Sequence, residues 1–212
     1  VKGRKISDFT SKEYAKTMSV VLTEKIKTEM MTCRDVVAMG RYPYTNYFGR
    51  LTKEDEVIVN ESLKKVSALD IAENDFSQIS DGQRQRIMLA RAICQKPEVI
   101  VLDEPTAMLD PNGRKEVLRA VRKLNEEKGV TVILITHYME EVVFADRVFV
   151  MDNGKLVMQG TPREIFSEVE KLKELRLDVP QVTLLAYELR KNGVDLPEGI
   201  LTIEELVNAL CH

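Results

Sequence analysis

The sequence predicts an α/β fold built on a parallel sheet, and three neighbouring segments carry that prediction. An apolar run at 99–102 has the length of a buried strand and ends in two carboxylates. A helical pattern then opens with an Asp-Pro pair and stops at a glycine, over 110–129. A second apolar run follows at 130–135. Strand, helix and strand form a βαβ unit, which places both strand ends at one edge of the sheet.

The segments before this unit add one strand and three helices. The β-branched run 17–22 predicts a strand, and Thr32 is the expected N-cap of a short helix ending near residue 39. A further helix is expected directly after 80–82. Another is expected over 53–69, with one apolar face made of Val57, Val59, Leu63, Val66 and Leu69.

The segments after the βαβ unit predict a hairpin and a helical tail. A short helix over 139–145 leads to two strand-like runs joined by Asn153 and Gly154, a strong signal for a two-residue hairpin turn. From residue 161 onward the pattern is helical, with Pro162 opening one helix and Pro180 separating two more.

Composition limits the classes of function. The 212 residues are 44% hydrophobic and 31% charged, as in ordinary globular domains. A formal net charge of −3, with both signs mixed along the chain, offers no basic footprint for nucleic acid. Three cysteines without metal-type spacing suit a reducing compartment, so the cytoplasm is expected. No apolar run approaches the about 20 residues of a membrane-spanning helix.

The strand that ends in Asp103 and Glu104 has the form of a Walker B strand, which holds Mg²⁺ and a water against a nucleotide phosphate. The matching phosphate loop, GxxxxGK followed by Ser or Thr, does not occur in the sequence. Acidic residues also commonly cap the loop after a strand, and the pair alone leaves that alternative open.

Three further motifs give this strand a context: Ser-Asp-Gly-Gln-Arg-Gln-Arg at 80–86, Pro-Thr-Ala-Met-Leu-Asp at 105–110, and His137 after the second strand. With them the chain resembles the ATP-binding cassette (ABC) ATPases, the motor subunits of ABC transporters, over nearly its whole length. The resemblance implies a P-loop NTPase-like parallel sheet that lacks its N-terminal P-loop strand and helix.

The same resemblance implies a domain organisation. Residues 1–160 would form an incomplete ABC ATPase domain, with a helical subdomain at about 30–95. Residues 161–212 would form a C-terminal helical extension.

By resemblance, Asp103 would be the metal ligand for Mg²⁺, and Glu104 would polarise the attacking water. His137 would be the catalytic switch residue at the γ-phosphate. Asp110, in the D-loop, and Glu24, at the position of the Q-loop glutamine, would contribute to cofactor binding. For Glu24, a solvated acid at a strand end is an equal alternative.

Ser80, Gly82 and Gln83 would form the signature that offers backbone N–H groups to ATP on the opposite subunit. The family usually has Leu-Ser-Gly-Gly-Gln, so Asp81 replaces a glycine. A carboxylate there repels phosphate unless it turns away, and Asp81 is equally explained as a helix cap.

Two importer groups are similar to different parts of the chain. Up to residue 106, Gly-Arg-Tyr-Pro-Tyr at 40–44 and the 79–92 segment look like iron-siderophore and haem importer ATPases. From 107 to 212, Thr-His-Tyr-Met-Glu-Glu at 136–141 and later motifs look like energy-coupling-factor ATPases for cobalt and vitamins. Both groups share 102–107. Recombination, a joined assembly and a chimera all predict this pattern.

The resemblance implies an ATP-binding and ATP-hydrolysing subunit of such an importer, with ATP and Mg²⁺ as cofactors. Without the phosphate loop we expect it to be inactive alone. The alternative is a non-catalytic partner that lends its signature to a complete cassette. The implied partners are a second ABC ATPase subunit and a transmembrane permease, and no nucleic acid. The location would be cytoplasmic, peripheral at the inner face of the cell membrane.

Overall fold

A computed structural model describes residues 3, 5–22, 30–46 and 48–211. The chain divides into two compact units, 1–135 and 136–212. Each unit has an apolar core of its own. The functional boundary expected at residue 160 stays a prediction.

The first unit alternates helices with three parallel strands. Its elements are a 3-10 turn (Ile6–Asp8), α1 (Ser11–Thr17), β1 (Met18–Val21), α2 (Cys33–Ala38), a 3-10 helix (Met39–Tyr44), α3 (Lys53–Lys65), α4 (Asp81–Cys94), β2 (Val99–Asp103), α5 (Pro111–Lys128) and β3 (Thr131–Ile135). Strand order is β1-β2-β3, and both pairs are parallel. The α/β class and the βαβ unit are confirmed, whereas α1 was not predicted.

Helices α2, α3 and α4 pack into the best-buried part of this unit. Val37, Leu63 and Ile87 are completely buried there. A buried ion pair ties the 3-10 helix to α3, because Arg41 Nε donates to Asp55 Oδ1 at 2.8 Å. The same guanidinium donates to the Cys94 carbonyl at 2.9 Å, which joins α4 to the pair.

Helix α3, predicted over 53–69, is shorter than predicted and buries a different face. It ends at Lys65, and Ser67 has a positive φ of 52°, which no helix continues through. Val57 and Leu69, predicted to be buried, are 55% and 48% exposed. The buried face centres on other residues because packing against α2 and α4 decides it: Ile58, Val59, Ser62 and Leu63.

Strand β3 is not the buried strand that its sequence predicts. Ile133 and Ile135 are 47% and 50% exposed. Val20 on β1 pairs with Val101, which pairs with Ile133, so these side chains share one face of the sheet. Within the described ranges β3 pairs only with β2 and forms an edge of this sheet. We call this half-covered surface, Val20, Ile133 and Ile135, the outer sheet face.

The second unit combines a hairpin with the helical tail. Its elements are α6 (Met139–Val142), β4 (Val148–Asp152), β5 (Lys155–Gly160), α7 (Pro162–Ser167), α8 (Val169–Glu174), α9 (Gln181–Lys191) and α10 (Ile203–Leu210). The hairpin is confirmed, with positive φ at both Asn153 and Gly154. Helix α6 ends three residues before the predicted Ala145. Over the part of the chain that the structure covers, no helix is long and apolar enough to cross a membrane.

Candidate active site

Two adjacent carboxylates stand at the carboxyl end of β2. Asp103 is the last strand residue and lies beside Ile135 in the register with β3. Glu104 follows with φ of 43°, in the left-handed region that non-glycine residues rarely adopt. Its N–H donates to the Ile135 carbonyl at 2.9 Å, and its carbonyl accepts from Ala107 N–H at 3.2 Å. Hydrogen bonds on both sides hold this strained backbone in place.

The two carboxylates match the oxygen chemistry that Mg²⁺ requires. Asp103 and Glu104 are both partly buried. Among the described residues no group of three or more His, Cys, Asp or Glu side chains could hold a metal ion. Mg²⁺ is commonly held by one or two carboxylates, with substrate phosphates and water completing the shell. Asp103 and Glu104 supply the one or two carboxylates that such a Mg²⁺ site uses.

The predicted signature segment forms the N-terminus of α4. Ser80 is the N-cap, and its hydroxyl accepts from Gln83 N–H at 3.2 Å. Gln83 Oε1 accepts from Ser80 N–H at 3.0 Å, which completes a capping box. A helix of 14 residues begins here, so its dipole and first N–H groups are directed at whatever lies beyond Ser80. This arrangement suits an anionic ligand.

Asp81, which replaces the usual glycine, is held by its own helix. Arg84 Nη1 donates to Asp81 Oδ1 at 2.8 Å, one turn along α4. Arg84 also lies 5.6 Å above the Phe76 ring. The cation partly offsets the carboxylate's charge. The repulsion expected between Asp81 and a phosphate is reduced accordingly.

The loop after β2 brings a second helix start close to the signature. Asp110 caps α5, with its Oδ1 accepting from Gly113 N–H at 3.0 Å. A Cβ on Gly113 would lie 2.8 Å from that oxygen, so a larger residue at this position would require the Asp110 side chain to shift. Leu109 lies 3.7 Å from where a Cβ on Gly82 would be. The structure thus gives Asp110 a capping role, and its cofactor contact stays a prediction.

His137 lies in the second unit, on an exposed turn. Its ring centroid is 4.2 Å from that of Tyr138. Thr136 anchors the turn, because its Oγ1 donates to Glu141 Oε2 at 2.8 Å and accepts from Tyr138 N–H at 3.0 Å. The convergence of His137 with the carboxylates of β2 stays a prediction.

Glu141 is a residue that sequence reasoning did not assign to the site. It is only 6% exposed and bonds Thr136, the residue before the histidine. A buried carboxylate is costly without partners. The segment Tyr-Met-Glu-Glu-Val-Val at 138–143 contains two adjacent glutamates, and nothing local shows that the second is the buried one. Glu24, in contrast, lies outside the described residues.

Cysteine chemistry does not explain this site. Cys33 and Cys94 are buried free thiols in the core of the first unit, and Cys211 is an exposed free thiol. Burial raises the pKa of Cys94 to about 11, despite a hydrogen bond from Ser62 and nearby cations that act in the opposite direction. Such a thiol is protonated and inert at neutral pH.

Comparison with known protein families gives two matches. A family described as ABC transporter matches residues 1–107. One described as the energy-coupling factor transporter EcfA1 C-terminal domain matches residues 182–212.

Similar curated proteins are ATP-binding proteins of transporters. The chain is 59% identical over 154 residues to the energy-coupling factor transporter ATP-binding protein EcfA1 of Caldanaerobacter subterraneus subsp. tengcongensis, covering 73% of this chain and 56% of that protein. It is 43% identical over 198 residues to the uncharacterized ABC transporter ATP-binding protein MJ0873 of Methanocaldococcus jannaschii, covering 91% and 67%. The chain spans a little over half the length of the EcfA1 relatives it matches.

The length of the EcfA1 match bears on the two importer groups. An alignment of 154 residues is longer than the segment 107–212, so the likeness to EcfA1 extends into the first half of the chain. A junction at 102–107 stays a prediction, and the energy-coupling-factor resemblance is broader than the late motifs alone indicate.

Two solved structures share the fold. An inward-facing ABC transporter superposes with a TM-score of 0.71 at 28% identity, covering 76% of this chain and 63% of that one. The dimeric ATP-binding cassette MJ0796 bound to ADP and Pi gives a TM-score of 0.66 at 25% identity, covering 77% and 72%.

Proposed function

Because this chain belongs to the ABC transporter family, we propose that it is the catalytic and signature part of an ATP-binding importer subunit. The reaction is ATP hydrolysis coupled to closure of a dimer of cassettes. One observation carries the proposal: Asp103 and Glu104 are consecutive residues at the carboxyl end of β2, and Glu104 is held at a φ of 43°. Strain of this kind persists where surrounding structure enforces it, and it clusters at functional sites.

Each predicted residue has a role in this proposal. Asp103 would hold Mg²⁺, and the metal would supply charge neutralisation at the transferring phosphate when bound. Glu104 orients the water for in-line attack, and His137 contacts the γ-phosphate. Glu24 is a further oxygen donor. Glu141 acts as a positioning residue, since it fixes Thr136 and through it the turn that carries His137.

The signature side of the proposal concerns the opposite subunit. Ser80, Gly82 and Gln83 present the α4 N-terminus to ATP held by that subunit, and Asp110 lies at the adjoining start of α5. The dimeric cassette structure of MJ0796 supports a second ATPase subunit as partner.

The relatives support an assignment of the importer class. The EcfA1 likeness supports the energy-coupling-factor class, with cobalt or vitamins as cargo and a transmembrane permease as partner. The iron-siderophore or haem class is the second candidate, supported by the motifs before residue 107. We place the subunit in the cytoplasm, peripheral at the inner membrane face. Residues 1–160 form its ATPase domain, and 161–212 its helical extension.

A specific observation favours a second, non-catalytic function. The signature helix is fully formed and is capped by Ser80, with Gln83 completing the capping box. In this alternative the Ser80 signature of the chain contributes to the ATP site of a complete cassette. No ATP is hydrolysed at Asp103 and Glu104.

Two variants distinguish these functions when the chain is mixed with a complete cassette subunit and permease. Glu104→Gln removes the carboxylate that orients water, and a loss of at least about 100-fold in kcat is expected if the chain's own site hydrolyses ATP. Ser80→Ala tests the signature. Thr161→Ala is the matched control, because Thr161 forms a similar capping box with Glu164 at the start of α7.

The activities of the two variants distinguish the catalytic from the non-catalytic function. Loss of activity with Glu104→Gln supports the catalytic function. Loss with Ser80→Ala alone, and an unchanged rate with Glu104→Gln, supports the non-catalytic one. If neither variant differs from Thr161→Ala, both proposals are wrong.

A further inference from the structure

A groove in the first unit lies apart from the candidate active site. It runs between the C-terminal end of α3 and the facing sides of α4 and α5, with a volume of about 640 Å³. Its floor is apolar, formed by Val66, Leu89, Val117 and Ala120. None of Ser80, Asp103 and Glu104 lines it, so it is separate from the proposed ATP site.

The walls of the groove are strongly basic. Only two carboxylates line it, Glu61 and Glu116. Against them stand six cationic side chains: Lys64, Lys65, Arg86, Arg119, Lys123 and Lys128. The whole chain carries a net charge of −3, so the groove is a local reversal of sign. A concave basic surface concentrates anions by its summed field.

Two of the six cations are partly engaged by the protein. Arg86 Nη1 donates to the Ser67 carbonyl at 2.8 Å and lies 3.6 Å from Glu116 Oε2. Lys123 pairs with Glu127 at 3.7 Å across an exposed helical turn. Such an exposed pair contributes little and exchanges readily for another anion.

The other four cations have no carboxylate partner within 4.0 Å among the residues that the structure describes: Lys64, Lys65, Arg119 and Lys128. Lys64, Lys65 and Lys128 lie in the last turns of α3 and α5, where cations stabilise the helix dipole. That role explains each lysine singly. It does not explain why Arg86, Arg119 and Lys123, from the middle of two helices, converge on the same concave surface.

We propose that this basic groove binds a ligand carrying two or more closely spaced phosphate groups. Lysine ammonium groups bind phosphate as point charges, and arginine adds bidentate donors. The volume is that of a small-ligand site, about 300–1,000 Å³, which suits a compact polyphosphate or a lipid headgroup better than an extended polymer. The apolar floor accommodates the organic part of such a ligand.

Titration of the full chain with inorganic tripolyphosphate, followed by calorimetry, tests the site. A second arm measures co-sedimentation with vesicles containing cardiolipin, whose headgroup carries two phosphates, against vesicles of phosphatidylcholine alone. The variant Lys64→Gln/Lys65→Gln removes two exposed lysines of the groove. The matched control Lys155→Gln/Lys171→Gln removes two exposed lysines of the second unit, far from the groove in sequence.

Binding in either arm that falls at least about tenfold in the groove variant and stays unchanged in the control supports the proposal, tenfold being 1.4 kcal/mol. The arm that binds identifies a free polyphosphate or a headgroup as the source. Binding should weaken with added salt, because the contacts are exposed charges. An equal loss in both variants, or no binding in either arm at millimolar phosphate, overturns the proposal. Unchanged unfolding midpoints show that both variants are folded.

Discussion

The packed helices and the outer sheet face of the first unit differ sharply in how their apolar residues are covered. Val36, Val37 and Leu63, on α2 and α3, are completely buried. Ile133 and Ile135, on β3, are about half exposed, at 47% and 50%. The helical region buries its apolar side chains against other described residues. The apolar side chains of the outer sheet face stay about half exposed.

This difference separates the two parts of the candidate site. Ser80 begins a helix whose apolar side is fully packed, so the signature has its support in place. Asp103 and Glu104 end a strand whose sheet is covered well on one face only. We therefore expect the signature helix to be stable without further partners, and the carboxylates of β2 to depend on them.

The largest effect concerns nucleotide binding by the chain alone. A phosphate loop supplies on the order of four charge-assisted hydrogen bonds and a lysine, each about 1.5–3 kcal/mol, so these 212 residues expressed by themselves should bind ATP at least ~10⁴-fold more weakly than a cassette that carries the loop. No binding is expected at millimolar ATP in a calorimetric titration. A micromolar dissociation constant would contradict this prediction. It would mean that the residues at the carboxyl end of β2 bind ATP without a phosphate loop.

The buried ion pair of the helical region should give the largest stability change. Arg41→Ala leaves the Asp55 carboxylate buried without its cation, which costs about 3–5 kcal/mol. Arg122→Ala, which removes an exposed pair with Glu126, is the control and should cost less than about 1 kcal/mol. Equal losses in chemical denaturation would show that the helical region is no better packed than the surface.

The same pair predicts a pH dependence. Burial alone would raise the pKa of Asp55, but hydrogen bonds from Thr52 and Arg41 outweigh it and hold the pKa below its ordinary value. The stability contributed by Asp55 is therefore present above the unfolded pKa of about 4 and is lost as pH falls through the folded value. The difference between Arg41→Ala and wild type should shrink on acidification. A constant difference down to strongly acidic pH would show that Asp55 is not involved.

Paired truncations compare the two regions directly. Leu63→Ala opens a cavity in the helical core and should cost about 2–5 kcal/mol. Ile133→Ala removes a half-exposed side chain and should cost about 1 kcal/mol. Urea unfolding of both variants measures the ratio. Equal costs would mean that the outer sheet face is covered in solution.

The smallest change in stability, and a clear change in solubility, are expected from Ile133→Lys/Ile135→Lys. An edge strand with exposed apolar residues promotes association, and lysine opposes it. Light scattering should show less aggregation than for wild type. Leu185→Lys, at a similarly exposed position on α9, serves as the control. A wild-type chain that unfolds sharply as a monomer of good stability would refute the predicted aggregation.

Much of the fold was predictable because its signals are local. Thr32 and Asp110 cap helices where their sequence context indicates, and Asn153 with Gly154 forms the hairpin turn. Side-chain caps and positive-φ turns depend on neighbouring residues only. The end of α3 was missed, because Val66 continues the apolar pattern while the backbone turns at Ser67.

The candidate site was predictable in its residue types and not in its geometry. Asp103 and Glu104 follow from a strand ending in carboxylates, yet nothing in that pattern indicates the positive φ of Glu104. The bond between Thr136 and Glu141 was also missed, because the adjacent residues Glu140 and Glu141 do not reveal which of them is buried or which residue it bonds. Both features depend on contacts that only the folded chain makes.

Local sequence patterns indicate most of the strands and helices, several of the caps that start them and the carboxylates at the end of β2, because periodicity and capping act within a few residues. Helix α1 is the element that they did not indicate. The tertiary structure alone decided that Arg84 holds Asp81, that β3 is half exposed, and that basic residues of three helices line one groove. Burial and charge convergence arise from residues far apart in the chain, and no local pattern encodes which surfaces will meet.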